Sequence, residues 1–342
     1  MKHNLLFAGL FALSLNAQTV TDYVSVSGNP TGIAFDSQGT LFIGTESDYG
    51  IKKYPLGGSL TTLKSGMNGQ PRQLSFDSSG NLWVACQSLG SIKKVDPLTG
   101  ISVSYPANYP FGIAEDPIYK NIFFTEESSG GVSSYNPSTS SINNFPYNFS
   151  KPRGIVYDKS GNMYIATAST NEVLKLTPMG VATTIIQNIP NPTYLALDSN
   201  NNLYISNDYK GQIYKYNLSQ TNLTASLYVD NLGYSNGLAI YNNELYCAIV
   251  SQNKVVKISL PLGTQDINRD DEILVYPNPT DNYIYVKTNE KIEKIEIYSI
   301  DGKLLLKNEK ENSLDISKLQ KGIYLVNVKT GKNAFSRKVI KK

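Results

Sequence analysis

Histidine is almost absent from this sequence. Its only copy is His3, within the first 17 residues. A chain without histidine beyond residue 3 cannot build a Ser-His-Asp triad, a histidine general base or a histidine metal site. The sequence also contains no Cys-x-x-Cys pair and no phosphate-binding glycine loop. These absences exclude many common hydrolase, redox and nucleotide-binding chemistries.

Long apolar runs are equally scarce. The longest, Leu5 to Leu15, follows Lys2 and precedes Ala17, and it is shorter than the roughly 20 residues that cross a bilayer. A charged start, a short apolar run and a small residue are typical of a secretory signal peptide. We therefore predict a signal peptide over residues 1–17, cleaved after Ala17, and no transmembrane segment in the mature chain. A buried N-terminal strand is the alternative.

A strong charge of one sign is also missing. The chain carries a net charge of +3, divided into −2 for residues 18–268 and +4 for residues 269–342, with Lys2 supplying the rest. Nucleic-acid binding requires a strongly basic face. We therefore predict no nucleic-acid partner.

What the chain does contain is a repeated phrase. PTGIAFD at residues 30–36 returns as PFGIAED at 110–116 and PRGIVYD at 152–158. Alignment gives six copies separated by 39 to 43 residues, starting at Pro30, Pro71, Pro110, Pro152, Pro192 and Ser235. A period near 40 residues indicates a solenoid, a propeller or an array.

Each copy contains four short stretches rich in β-branched and aromatic residues, bounded by Gly, Asn, Ser or Pro. Such stretches predict antiparallel strands joined by tight turns. We therefore predict an all-β fold, with a six-bladed β-propeller over residues 18–262. The sixth copy lacks its fourth strand, so we expect residues 20–27 to complete that blade and close the ring.

The two cysteines, Cys86 and Cys247, fall in copies 2 and 6. Cys86 aligns with Ile249 rather than with Cys247, and a disulfide requires Cα atoms within about 7 Å. We predict two unpaired, buried thiols.

The stretches PTGIAFDSQGTLFIGT and PRGIVYDKSGNMYIAT resemble NHL-type propeller repeats, and residues 80–100 are similar to a blade of the senescence-marker-protein/gluconolactonase family. The resemblance covers roughly residues 20–260. It implies a divalent cation held by oxygen ligands, often one residue before the repeat glycine. The repeats also resemble those of streptogramin-inactivating lyases, which depend on histidine.

In this chain the column before the glycine contains a single residue, Asn236, that matches the ligand pattern. Two arginines in the column, Arg72 and Arg153, would repel a cation. We therefore expect no metal, no cofactor and no catalytic residue of this type. A degenerate metal-dependent gluconolactonase-like hydrolase stays as the alternative. The full column reads Thr31, Arg72, Phe111, Arg153, Thr193 and Asn236.

The two arginines suggest a ligand-binding site at the channel mouth, because guanidinium groups bind carboxylate, sulfate or phosphate in bidentate fashion. We expect them to face Glu126. The alternatives are an internal salt bridge, or arginine stems that pack over tyrosines. The predicted site residues are Arg72, Glu126, Arg153, Tyr194, Asn207 and Asn236, with Tyr194 beside an inter-blade loop.

The last 70 residues differ from the repeats. Residues 281–287 and 292–298 alternate as strands do, and Asp301-Gly302 predicts a hairpin turn. Together with Tyr276-Pro277-Asn278-Pro279, Gly322-Ile323-Tyr324 and the basic end at Lys341 and Lys342, they resemble the C-terminal sorting domain of the type IX secretion system of Bacteroidetes. A carbohydrate-binding or immunoglobulin-like β-sandwich is the alternative.

The resemblance of the tail implies as partners the type IX secretion machinery and its sortase. It also implies passage through the periplasm and the outer membrane, and secretion or attachment at the cell surface. We assign residues 273–342 to this sorting domain, with a β-sandwich-like fold, and residues 263–272 to a linker.

For the propeller we predict a binding or interaction module for an unknown glycan, peptide or protein. The rival classes are the degenerate hydrolase and a purely structural surface protein.

Overall fold

A computed structural model describes residues 18–207, 209–259, 274–288, 291–299, 303–309, 311–330 and 334–342. The described residues form two compact units, one on each side of the boundary between residues 263 and 264. The predicted signal peptide (residues 1–17), the linker (263–272) and the Asp301-Gly302 turn lie outside the described residues.

The first unit is built from six four-stranded antiparallel sheets that follow one another along the chain. We number them sheets 1 to 6. Sheet 1 contains β2 (Pro30–Phe35), β3 (Leu41–Thr45), β4 (Gly50–Tyr54) and β5 (Thr61–Lys64); sheet 2 contains β6 (Pro71–Phe76), β7 (Leu82–Cys86), β8 (Ser91–Val95) and β9 (Ser102–Pro106). Sheet 3 contains β10 (Pro110–Glu115), β11 (Ile122–Glu126), β12 (Gly131–Asn136) and β13 (Ser141–Phe145); sheet 4 contains β14 (Pro152–Tyr157), β15 (Met163–Thr167), β16 (Glu172–Leu176) and β17 (Ala182–Ile186).

Sheet 5 contains β18 (Pro192–Leu197), β19 (Asn202–Asn207), β20 (Gln212–Asn217) and β21 (Ser226–Val229). Sheet 6 combines β22 (Ser235–Tyr241), β23 (Glu244–Ile249) and β24 (Lys254–Ser259) with the N-terminal strand β1 (Thr19–Ser25), in the order β1-β24-β23-β22. A short 3₁₀ helix, Val250–Gln252, joins β23 to β24. The prediction that the N-terminus supplies the missing strand is confirmed: Val20 pairs with Ile258 and Ser25 with Lys254.

Local sequence chemistry explains the turns between the first and second strands of the sheets. In sheet 2 the Asp77 carboxylate accepts hydrogen bonds from the backbone N–H groups of Ser79 (3.0 Å) and Asn81 (2.8 Å) and from the indole of Trp83 (2.8 Å). Gly80 has a φ of +83°, which glycine adopts without strain. The Asp-x-x-Gly motif at residues 77–80 therefore forms one of the tight turns that the sequence predicts between strands.

The first strands of the six sheets contact one another in a closed circle and surround a central channel. Each first strand has an irregularity in its pairing with the second, between its first and fourth residues. In four sheets the third residue of the strand is glycine, and at Gly32 a Cβ atom would lie 1.8 Å from the carbonyl oxygen of Arg72. Glycine therefore allows neighbouring first strands to approach closely.

Apolar side chains fill the spaces between the sheets. Cys86 and Cys247 lie in this core as free, buried thiols, as predicted. Cys86 pairs with Pro71, the first residue of β6, and Ile249 pairs with Ser235, the first residue of β22. The predicted alignment of Cys86 with Ile249 is therefore confirmed. Burial raises the pKa of each thiol to about 12, which keeps both protonated and unreactive near neutral pH.

The second unit contains two sheets. A three-stranded sheet has the order β25 (Leu274–Tyr276), β26 (Tyr283–Lys287), β29 (Ser313–Asp315), and a four-stranded sheet has the order β28 (Leu304–Glu309), β27 (Ile292–Ser299), β30 (Gly322–Thr330), β31 (Ala334–Lys341). Ile284 and Val286 from the first sheet share an apolar core with Ile295 and Val326 from the second. The strands predicted at 281–287 and 292–298 are confirmed. None of the described residues forms a helix long and apolar enough to cross a membrane.

Candidate functional site

The second residue of each first strand lies at the end of the channel where these strands begin, which we call the mouth. Four of the predicted site residues are at or beside it: Arg72 and Arg153 on β6 and β14, Tyr194 on β18, and Asn236 on β22. The six mouth positions divide into two halves of different chemistry. Sheets 2 to 4 contribute Arg72, Phe111 and Arg153, and sheets 5, 6 and 1 contribute Thr193, Asn236 and Thr31.

Arg72 is held by three partners at once. Its Nη1 donates to Glu46 Oε1 at 2.7 Å, its Nε to Gln87 Oε1 at 2.7 Å and its Nη2 to Gln70 Oε1 at 2.9 Å. Burial acts to lower the pKa of Arg72, but attraction to Tyr194 and Glu46 outweighs it and raises the pKa above its usual value. The guanidinium is therefore firmly charged.

Arg153 is the second cation of the mouth. Its Nε donates to Glu127 Oε1 at 2.9 Å, and its Nη1 lies 3.3 Å from Thr193 Oγ1. The amide nitrogen of Gln87 donates to the other oxygen of Glu127. A continuous network therefore runs from Glu46 through Arg72, Gln87 and Glu127 to Arg153.

Aromatic rings pack against this network. The guanidinium carbons of Arg72 and Arg153 lie 5.7 and 5.3 Å from the centroid of the Phe111 ring, which is a cation–π arrangement. The ring of Tyr194 contacts Phe111, with 5.2 Å between centroids. Both rings are buried. The placement of Tyr194 beside a loop was wrong: it belongs to β18 and occupies the channel position where four other sheets have glycine.

The expected pairing of the arginines with Glu126 was also wrong. Glu126 Oε1 accepts from the backbone N–H of Asn108 at 2.9 Å, and its Oε2 lies 3.3 Å from Ser129 Oγ. Glu126 is the last residue of β11 and turns toward the loops of its own sheet. Glu127, one residue later, has left the strand and reaches the mouth. The arginines instead form internal salt bridges, which was one of the predicted alternatives: Arg72 pairs with Glu46 and Arg153 with Glu127.

The first-strand positions in the other half of the mouth are uncharged. Thr31, Thr193 and Asn236 are nearly inaccessible to solvent, as is the predicted site residue Asn207 at the end of β19. The Oδ1 of Asn207 accepts from the N–H of Lys210 at 3.2 Å. The amide nitrogens of Asn207 and Asn236 have no hydrogen-bond partner among the described residues. Buried donors of this kind normally find a partner, so each of these amides has a hydrogen bond left to give.

Sequence reasoning missed Gln73, the residue that follows Arg72. Its side chain crosses to two other first strands: Nε2 donates to the carbonyls of Ile113 (3.1 Å) and Ile155 (2.7 Å), and Oε1 accepts from the N–H of Ile155 at 3.0 Å. Below it, a cavity of about 480 Å³ is bordered by all six first strands. The sequence does contain a signal for this residue: the third position of the first strands is glycine except at Gln73 and Tyr194.

A divalent cation does not fit the mouth. The column that the gluconolactonase resemblance assigns to metal ligands contains two arginines, and the carboxylates nearest to them, Glu46 and Glu127, are already paired with them. Among the described residues no group of three or more His, Cys, Asp or Glu side chains is placed to hold a metal. The donor set therefore suits hydrogen bonding rather than metal coordination.

The predicted sorting residues converge in the second unit. Asn278 Oδ1 accepts from the N–H of Ile340 at 2.9 Å, and Lys342 donates its N–H to the carbonyl of Thr280 at 2.9 Å. Gly322 and Ile323 pair with Lys341 and Ile340. Three motifs separated in sequence therefore meet at one end of the unit: Tyr276 to Pro279, Gly322 to Tyr324, and Lys341 with Lys342.

Comparison with protein families identifies the second unit. Residues 274–342 match the model described as the secretion system C-terminal sorting domain. The resemblance inferred from the motifs is confirmed, and the tail indicates export to the cell surface or the exterior through interaction with the type IX secretion machinery.

The first unit is similar in structure to known propellers. A gluconolactonase from Xanthomonas campestris has a TM-score of 0.62 at 12% identity, over 71% of this chain and 90% of that one. A catalytically inactive histidine-to-alanine variant of virginiamycin B lyase from Staphylococcus aureus, with quinupristin, has a TM-score of 0.56 at 16% identity, over 79% and 96%.

A structure of the nidogen/laminin complex has a TM-score of 0.52 at 18% identity, over 58% and 79%. At these identities the similarity establishes the propeller fold alone. No curated protein matches the chain in sequence.

Proposed function

We propose that this chain is a secreted or surface-displayed six-bladed β-propeller that binds a polar ligand at the channel mouth. The ligand would be a glycan fragment, a peptide or a partner protein. One observation carries the proposal: the mouth holds a network of fixed donors and acceptors beside buried amides that still have hydrogen bonds to give. Pre-held polar groups bind with little loss of side-chain entropy.

The proposed organisation keeps the predicted boundaries. Each of the six sheets corresponds to one blade, and the closed circle of first strands supports that count. Residues 1–17 would direct the chain to the periplasm, 18–262 form the propeller, 263–272 the linker and 273–342 a β-sandwich-like sorting domain. A sortase would then remove the tail and release or anchor the product.

The charges at the mouth bear on the class of ligand. Arg72 and Arg153 are balanced by Glu46 and Glu127, so the network as a whole is neutral. A simple anion would have to displace a carboxylate that is already well placed. A neutral or zwitterionic ligand, such as a saccharide or a peptide backbone, can instead use the amides of Asn207 and Asn236 and the outward edges of the network.

Gluconolactonases share the propeller fold, but the described residues of the mouth do not favour the hydrolase alternative. Among the described residues the mouth offers no metal-ligand set, and the chain has no histidine beyond His3, whereas the catalytically inactive virginiamycin B lyase carries a histidine-to-alanine substitution. A related fold in the nidogen/laminin complex supports a binding role, because that propeller occurs in a protein–protein assembly.

The proposal can be tested by screening residues 18–342 on glycan and peptide arrays with variants in matched pairs. Arg72→Gln/Glu46→Gln removes one ion pair from the mouth. Lys120→Gln/Glu115→Gln removes another, with 3.6 Å between its charged atoms, at the opposite end of the channel. Asn236→Ala removes a spare donor. We expect hits to weaken about tenfold or more with the mouth variants, as for loss of a charge-assisted hydrogen bond, and to be unchanged with the control.

Hits that bind all variants equally would place the ligand elsewhere. An array without any hit would favour the structural reading.

A further inference from the structure

Three large aromatic side chains are exposed on one face of the three-stranded sheet in the second unit. Strand β26 alternates strictly: Ile284 and Val286 are buried, whereas Tyr283 and Tyr285 are exposed. Tyr276 on β25 is exposed beside them, and the exposed fractions of the three tyrosines are 42 to 48%. Solvent-facing strand positions normally carry polar residues, and clustered exposed aromatics mark binding surfaces.

The tyrosines form a continuous row. Tyr276 and Tyr285 are direct cross-strand partners, with 5.9 Å between ring centroids and planes inclined by 30°. Tyr283 follows on the same side of β26, two residues or roughly 7 Å further along. It pairs with Asp315 on β29, so a carboxylate borders the row. We call Tyr276, Tyr283 and Tyr285 the tyrosine row.

A polar cleft of about 600 Å³ adjoins the row at Tyr276. Its lining includes Lys287, Lys291, Glu311, Asn312 and Ser313. These side chains provide both donors and acceptors, and charges of both signs are among them. The volume lies within the range of small-molecule sites.

We propose that the tyrosine row and this cleft form a saccharide-binding site, distinct from the propeller mouth. Tyrosine rings offer flat apolar faces to the C–H faces of sugar rings, and their hydroxyls bond to water or sugar. The cleft supplies the donors and acceptors that sugar hydroxyls need, and its lysines can pair with the carboxylates of acidic sugars. An apolar protein partner is a poorer match, because Asp315, Lys287 and Ser313 are among the residues that pair with the strands of the row or lie beside it, and all three are polar or charged.

The test is affinity electrophoresis of residues 18–342 in native gels that contain dextran, mannan, xylan, polygalacturonate or purified lipopolysaccharide. We expect at least one of these polymers to retard the chain. Tyr283→Ser/Tyr285→Ser should weaken the interaction about tenfold or more, and Tyr283→Phe/Tyr285→Phe should keep most of it, because the rings rather than the hydroxyls provide the stacking. Tyr276 is left intact because it also belongs to a sorting motif.

Tyr119→Ser is the control, because Tyr119 is a still more accessible tyrosine, 72% exposed, in the first unit. Arg72→Gln/Glu46→Gln separates this site from the mouth: a retardation that only the mouth variant abolishes would support the proposed function and overturn the tyrosine row. Absence of retardation by every polymer, or equal retardation of the double serine variant, would also overturn it. A thermal melt of each variant checks that the fold is retained.

Discussion

The two halves of the channel mouth share a backbone and differ in chemistry. In both halves the first strand of each sheet lies next to the first strand of the neighbouring sheet, and its pairing with the second strand is irregular over its first residues. The second residue of the first strand lies at the mouth. Sheets 2 to 4 place two arginines and a phenylalanine there, tied to Glu46 and Glu127. Sheets 5, 6 and 1 place two threonines and an asparagine there, all buried and uncharged.

We expect the charged half to contribute mainly to stability and the uncharged half mainly to binding of the proposed ligand. In the charged half, the hydrogen bonds of Arg72 and Gln87 are directed to other side chains of the protein, so these groups mainly stabilise the fold. In the uncharged half, the amide nitrogens of Asn207 and Asn236 are buried without a partner among the described residues, so they are the donors that the proposed ligand would use. We therefore expect the arginines to affect stability more than the asparagines do, and the asparagines to contribute at least as much to affinity.

The largest effect is expected where the uncharged half is closed by the N-terminal strand. Deleting residues 18–25 removes β1 and exposes the edge of β24 from Lys254 to Ser259. A bare edge strand pairs readily with other molecules. We expect the truncated chain to lose its cooperative thermal transition and to aggregate in size-exclusion chromatography. Val20→Thr, at a 39% exposed position of the same strand, should behave as the parent. A truncated monomer that melts within 2 °C of the parent contradicts this closure.

The charged half should respond strongly to loss of one ionic partner. Arg153 and Glu127 are each only 12% exposed, so removing one charge leaves the other buried without its ionic partner. We expect Arg153→Ala or Glu127→Ala to lower the free energy of unfolding by about 3 kcal/mol, and Arg153→Gln/Glu127→Gln to lower it by less. Denaturant unfolding measures both.

The control for this experiment is the surface pair of Lys254 with Asp22, whose nitrogen and oxygen are 2.6 Å apart but whose carboxylate is 72% exposed. Lys254→Ala should cost less than about 1 kcal/mol. Equal losses in the mouth pair and the surface pair would mean that the mouth network is well solvated.

A smaller difference should separate Gln87 from Asn236, two buried amides on opposite halves. Gln87 accepts from Arg72 and donates to Glu127, so Gln87→Ala leaves two charged groups short of a partner and should cost about 1–3 kcal/mol. The Asn236 nitrogen has no partner among the described residues to lose, and Asn236→Ala should change stability by less than about 1 kcal/mol. Thermal melts of the two variants, measured side by side, test this difference in stability. A costlier Asn236→Ala would indicate that its amide already has a bound partner, such as water.

Most of the fold followed from local signals in the sequence. Asp-x-x-Gly turns and short alternating strands recur in the copies, and each signal acts over a few residues, so spacing alone predicts the sheets. The N-terminal strand could be placed because the sixth copy ends after KVVKISL and therefore lacks a fourth strand of its own. In the tail, several motifs in a specific order were enough to identify the sorting domain.

The site was less predictable because it depends on side-chain directions across the channel. The alignment put both arginines at the mouth, but it could not distinguish Glu126 from Glu127, since one residue at a strand end decides which way a side chain points. The bridge from Gln73 to Ile113 and Ile155 depends on distances between strands that are far apart in sequence. Periodicity contains no information on such distances.

The smallest effect, and a direct test of the rival function, is expected from calcium. A cation at 100 times its Kd would add about 2.7 kcal/mol to the free energy of unfolding, and at roughly 2–4 °C per kcal/mol the melting temperature would rise by about 5–10 °C. The mouth places Arg72 and Arg153 where ligands would have to be, and the carboxylates of Glu46 and Glu127 already neutralise those arginines. We therefore expect thermal melts of residues 18–342 in excess Ca²⁺ and in chelator to agree within 1 °C. Arg72→Gln/Arg153→Gln serves as a matched variant, because it frees Glu46 and Glu127 and should acquire whatever weak calcium response the mouth can support. A clear rise in the parent would instead mean that oxygen ligands elsewhere in the channel hold a metal, and lactone hydrolysis would then be the assay to run.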